Sequence, residues 1–240
     1  MKLPPELRNK IYEECLTDDK PLYITNKDKL FRRVATRDVQ WKANRLYANE
    51  RQQQNVKTLV PAILAVSKSI YAEAAPILYR QSITVRDNRT LLDFVAGINP
   101  RCAAMLRDIT ITSWCSSNSH KSVNLPAMAL LAARGGTNLT RLNLDCSLGY
   151  FHTWSYRPRA KTTPISKRVA RKIFRDCYHW LVAVGEAKGD PYAGLDVLKI
   201  RQSNFHECAR GHHGETNRAN LMTSAEEEMK QHLRNLLDRA

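Results

Sequence analysis

Four short runs in this chain carry the two-residue period of a β-strand, and segments with a helical period lie between them. Ser82–Arg86 brings Ile83, Thr84 and Val85 together. Arg107–Thr112 reads RDITIT, Leu139–Leu144 reads LTRLNL, and Leu195–Arg201 reads LDVLKIR. A helix is expected over Thr90–Ala96, closed by Gly97, and an apolar helix over Leu125–Arg134, ended by Gly135 and Gly136. A third runs from the Thr163–Pro164 start signature to about Lys188, with Gly189 beyond it. Strands separated by helices need crossover connections, and crossovers make parallel neighbours. The strand centres near residues 84, 110, 142 and 198 leave first gaps of about 26 and 32 residues, which resemble an irregular leucine-rich-repeat spacing. The last gap is too wide for a regular solenoid. The expected fold is mixed α/β: irregular, leucine-rich-repeat-like alternating helices and parallel strands in an open sheet. The polar residues 203–220 follow, and then a final helix, Ser224–Leu237, with Ser224 and Glu227 as a capping box.

Ahead of this alternation the chain is helical and then charged. Leu3–Leu16 reads as a helix with Pro5 in its first turn and Glu6 at the positive end of its dipole. Leu7, Ile11 and Cys15 recur every four residues on one face, with Leu16 beside it. Residues 17–58 contain no glycine and show weak periodicity; from Lys20 to Lys57 ten basic residues face three acidic ones. This stretch reads as an insertion, with a polar helix expected around Asp38–Gln53. Pattern returns at Leu59, where Ile63, Val66, Ile70, Ala74 and Ile77 mark a helical apolar face, which Pro76 is expected to break or kink one residue earlier. The chain therefore divides into a helical region at 1–80, interrupted at 17–58, and an irregular αβ interaction domain at 81–240.

Hydrophobic residues make up 43% of the chain and charged ones 25%, which places it among globular rather than disordered sequences. Pro4 and Pro5 stand where a secretion signal needs an apolar run, and the longest nearly apolar stretch, Leu125–Ala133, is about half the ~20 residues of a membrane span. A cytoplasmic or nuclear location is expected. Six cysteines without a CxxC pair fit free thiols in a reducing compartment.

The opening residues Leu3–Tyr12, LPPELRNKIY, resemble the first helix of an F-box, and more narrowly a group of poorly characterised fungal F-box-like proteins. In that group the motif is followed by a segment similar to ILAVSKSIYAEAAPILY, here Ile63–Tyr79, and then a strand. The resemblance implies N-terminal F-box-like helices that dock a Skp-type adaptor of a cullin ubiquitin ligase, with the rest of the chain holding a protein substrate. On the matching positions it makes Leu3, Pro4, Leu7 and Ile11 the adaptor-binding residues. Two uses of the apolar stripe stay open, since it could equally pack as core on the helix at 63–78. An ordinary F-box joins its first two helices by a short turn, whereas residues 17–58 intervene here.

A net charge of +15 favours polyanionic partners. No acidic residue lies between Asp145 and Asp176, and that stretch holds Arg157, Arg159, Lys161, Lys167, Arg168, Arg171, Lys172 and Arg175. Tyr150, Phe151, Trp154 and Tyr156 lie just ahead of these cations. Arg168, Arg171, Lys172 and Arg175 share one helical face, opposite Val169, Ile173, Cys177, Trp180 and Val184. Cations in the first half of a helix oppose its dipole, so an anion would be favoured there, and nucleic acid or an acidic protein is the alternative partner. His206, Cys208, His212 and His213 are zinc-type ligands, but their spacing fits no common zinc module, and a polar loop is expected. No GxSxG, P-loop, GxGxxG or HExxH motif is present. The chain is thus expected to be a non-enzymatic protein-interaction module with no cofactor.

Overall fold

The structure, a computed structural model, describes residues 3–29, 32–37, 58–114, 118–146, 148, 164–209 and 215–240. Helix α1 (Pro5–Leu16) leads into strands β1 (Leu22–Lys29) and β2 (Arg32–Arg37). A 3-10 turn at Pro61–Ala65 and α2 (Lys68–Tyr79) follow, then β3 (Ser82–Asp87), α3 (Asn88–Gly97), the short α4 (Pro100–Ala103) and β4 (Asp108–Ser113). The chain continues through α5 (Asn118–Ala133), β5 (Arg141–Leu144), α6 (Ile165–Lys188), α7 (Ala193–Val197), β6 (Leu198–Ile200) and α8 (Glu215–Leu237).

The strands form one mixed sheet in the order β2-β1-β3-β4-β5-β6, parallel throughout except for the antiparallel β1–β2 pair. Its register lines up alternate residues across the strands. Leu22, Ile83, Ile109, Leu142 and Leu198 form one row, and Ile24, Val85, Ile111, Leu144 and Ile200 form another. All ten are buried. Because side chains alternate across the pleat, the row between them, Tyr23, Thr84, Thr110, Asn143 and Lys199, belongs to the opposite face. Each buried aliphatic side chain contributes about 1.5–3 kcal/mol through burial, and the two apolar rows therefore anchor the fold. Helices α3, α5, α6 and α8 pack side by side in chain order as a single layer, and Leu91, Val95, Met128, Leu131, Val169, Ile173, Cys177, Trp180 and Met229 join the same core as the two rows. The mixed α/β architecture with parallel strands is the one expected.

The structure differs from expectation in four places. Residues 22–29 and 32–37 are a β-hairpin, and β1 pairs in parallel with β3, so part of the charged stretch at 17–58 supplies the sheet edge. Leu22, Tyr23, Ile24 and Thr25 are all buried, and their apolar and β-branched side chains suit the pleated surface. The polar helix expected around Asp38–Gln53 lies outside the described residues. Pro76 does not end its helix: α2 runs through it to Tyr79, and the break falls earlier, at Ser67, whose hydroxyl accepts from Ile70 N at 3.2 Å. Burial of Ala74 and Ala75 holds α2 together across the missing N–H. The last strand is only three residues, because Ala193–Val197 closes into α7. Ser224 is internal to α8, which begins at Glu215 rather than at a Ser224 cap. Among the described residues no helix is long and apolar enough to cross a membrane.

Candidate functional site

Helix α1 packs on α2 by one side only. Tyr12 and Leu16, 3% and 0% exposed, meet Ala74 in a small cluster bordered by Ile63, Leu64, Ile70 and Ile77. Beside it Arg8 donates to both oxygens of Glu73, Nε to Oε2 at 2.9 Å and a terminal nitrogen to Oε1 at 3.1 Å. The Tyr12 hydroxyl donates to Glu73 Oε2 at 3.1 Å. The Arg8 hydrogen bonds hold the Glu73 carboxyl below its ordinary pKa, while burial and the bond to Glu73 push the Tyr12 phenol up. Gln81 ties down the far end of α1. Its side-chain nitrogen donates to Leu16 O at 2.8 Å, and its side-chain oxygen accepts from Asp18 N at 3.1 Å. A shallow, open surface depression of about 450 Å³ lies alongside, lined by Glu13, Thr17, Pro76, Ile77, Arg80 and Gln81.

This packing settles which apolar residues of α1 become core. Leu3 precedes α1, whereas Leu7 and Ile11, four residues apart, share the side of the helix turned away from Tyr12 and Leu16. They remain 49%, 46% and 43% exposed, and Pro4 is exposed with them. Cys15 is half-buried at the margin of the cluster. Val60 and Val66 are also exposed. The helical period at 63–77 places Val66 on the apolar face, but Pro61–Ala65 winds as a 3-10 turn with a three-residue period, which rotates Val66 out. Among the described residues, the exposed large hydrophobics are these five and Leu125.

The basic helix α6 buries the side anticipated for it. Val169, Ile173, Cys177, Trp180 and Val184 are each 0% exposed. On the other side Arg171 and Arg175 are exposed, while Lys167, Arg168 and Lys172 are half-buried. Arg157, Arg159 and Lys161, together with Tyr150, Phe151, Trp154 and Tyr156, lie outside the described residues. Two contacts alter the electrostatics. Arg175 Nε donates to Asp176 Oδ1 at 2.6 Å, so its charge is already paired. The carboxylate of Glu228 on α8 accepts from Ser166 Oγ at 3.1 Å, which brings an acidic side chain of the chain itself against the first turn of α6. That is where the helix dipole favours an anion.

The surroundings of Asp176 were not foreseen. It is 2% exposed, and besides Arg175 it accepts from Trp114 Nε1 at 3.1 Å and from Asn124 Nδ2 at 3.1 Å. Asn124 in turn accepts from Asn88 at 2.7 Å. Its sequence signal is a carboxylate directly beside the apolar positions of a core helix; apart from the neighbouring Arg175, its partners are Trp114, just after β4, and Asn124 of α5, which leave no local trace.

Burial pushes the Cys146 thiol up to about 12 and raises that of Cys177 as well, which suppresses the thiolate. Among the described residues no group of three metal-ligating side chains converges. The side chains of His206 and Cys208, and residues His212 and His213, lie outside the described residues.

Residues 1–121 match the family model of DUF7730, a domain of unknown function. No curated protein and no solved structure matches the chain.

Proposed function

We propose that this chain, which belongs to the DUF7730 family, is a non-enzymatic protein-interaction module that offers the exposed Leu7 and Ile11 side of α1 to a helical adaptor of the Skp type and carries its αβ sheet as a recruiting domain. The observation that carries the reading is the division of labour on α1: Tyr12 and Leu16 hold the helix in the fold, while Leu3, Leu7 and Ile11 stay exposed. An exposed apolar stripe on a helix has a physical use only when a partner buries it. The F-box-like opening motif supports the Skp-type choice, because the residues left exposed are those the motif assigns to adaptor contact.

The test is a double substitution, Leu7→Asp with Ile11→Asp, in the full chain. Wild-type protein should co-elute with a purified Skp adaptor; the double variant should keep its circular dichroism spectrum and thermal midpoint while losing the complex. Unfolding of the variant would return the stripe to the core, and a wild-type protein that fails to bind would remove the adaptor reading.

A polyanion-binding face on α6 is the alternative. The exposed Arg171 supports it, whereas the pairing of Arg175 with Asp176 and the carboxylate of Glu228 at the first turn weigh against it.

A further inference from the structure

The helix layer covers one face of the sheet. The other face carries polar side chains in register, and we propose that it is a docking surface for an acidic peptide segment in extended conformation. The proposal is independent of the α1 reading, because it uses a different surface.

The residues on this face are suited to hydrogen bonding and positive charge. Thr84, Thr110, Asn143 and Lys199 stand in one row across four parallel strands. The adjacent row runs Ser82, Asp108, Arg141. Exposure rises across the sheet: Thr84 is buried, Thr110 and Asn143 are half-buried, and Lys199 is exposed. Among the described strand residues with described side chains, four exposed cations belong to this side, Lys27, Arg86, Arg141 and Lys199, and the two arginine side chains are 62% and 54% exposed.

Their intramolecular pairing is loose. Arg141 Nε stands 3.8 Å from Asp108 Oδ1, beyond hydrogen-bond length, while Asp108 Oδ2 accepts from Ser82 Oγ at 2.8 Å. Arg86 Nε stands 3.9 Å from Asp87, whose carboxylate already caps α3 by accepting from Thr90 N at 2.8 Å. Exposed pairs of this length contribute little, so a ligand carboxylate can replace them. Asp108 is the only carboxylate of the described strand residues on this face, which leaves it net positive.

Spacing selects an extended ligand. With strands about 4.8 Å apart and a rise of about 3.3 Å per residue, Arg141 and Lys199 lie roughly 8 Å apart and Arg86 roughly 16 Å from either. An extended segment of about five residues spans that distance. Chemistry selects a peptide over a nucleic acid. Single strands bound on a sheet need exposed aromatic rings for base stacking. The aromatic residue of the described rows is Tyr23, which is 7% exposed and unavailable for that purpose.

The experiment measures anisotropy of a fluorescein-labelled oligoglutamate peptide against the full chain at low salt, with oligoglutamine and oligothymidylate of equal length as comparison probes. The sheet-face variant is Arg141→Gln with Lys199→Gln; the control of equal charge change is Lys167→Gln with Arg171→Gln on α6. Oligoglutamate should bind in preference to both other probes, and the sheet-face variant should weaken it at least about tenfold while the α6 variant leaves it within about twofold. Equal weakening by both variants would reduce the effect to bulk charge, and loss in the α6 variant alone would move the site to α6. Tighter binding of oligothymidylate would assign a nucleic acid instead. Each of these results overturns the proposal.

Discussion

At Asp176, donors from Trp114, Asn124 and Arg175 converge on one carboxylate that the helix layer has removed from water. A buried charge is tolerable only while it is paired and hydrogen-bonded, and removing one partner leaves the others unsatisfied. Asp176→Ala is therefore expected to lower stability by about 3–5 kcal/mol, a large share of the ~5–15 kcal/mol typical of a domain. Urea denaturation should show the midpoint falling with its slope unchanged; a midpoint shift corresponding to less than ~1 kcal/mol would mean that the node is not structurally important. The same scale explains why the cluster was hard to read in one dimension. Asp176 sits 62 residues from Trp114 and 52 from Asn124, and only folding brings those donors to it.

At the element scale, the turn between α5 and β5 is tightly constrained. Gly135 has φ +95°, the left-handed region that favours glycine, and a Cβ there would lie 2.8 Å from Ala104 Cβ. A Cβ on Gly136 would lie 2.5 Å from Leu131 Cγ, and Gly136 O also accepts from Trp180 Nε1 at 3.1 Å. Gly136→Ala should thus cost about 1–3 kcal/mol through overpacking, seen as a lower thermal midpoint; an unchanged midpoint would show that Leu131 moves aside freely. The glycine pair that closes α5 was legible because helix-stop chemistry is local. The β1–β2 hairpin was not. Its apolar start, Leu22–Thr25, is four residues long, and the charged residues after it hide the pattern until β1 is seen paired with β3. Pro76 shows the reverse case, in which a valid local rule is overridden by the packing of Ala74 and Ala75.

The whole molecule carries +15 at neutral pH, so repulsion between like charges opposes the folded state. Raising ionic strength from about 0.01 M to about 0.15 M shortens the screening length from roughly 30 Å to roughly 8 Å and should raise the thermal midpoint. A drop would mean that ion pairs such as Arg8–Glu73 outweigh the net repulsion. At this scale the contributions of sequence and tertiary structure separate cleanly. The alternation of strands and helices, the parallel sheet and the buried side of α6 follow from the chain alone, because side-chain period and glycine punctuation act within a few residues. Whether the Leu7, Ile11 and Cys15 stripe of α1 becomes core was left open by pattern, because an apolar stripe can pack internally or against a partner. The tertiary structure decided it by placing Glu73 and Ala74 opposite Arg8, Tyr12 and Leu16. Leu3, Leu7 and Ile11 were thereby left partly exposed, and the sheet's polar face, on which Tyr23, Thr25 and Thr84 are buried, becomes exposed towards Lys199. Exposure depends on what lies across space from a residue, and that information is absent from its neighbours in the chain.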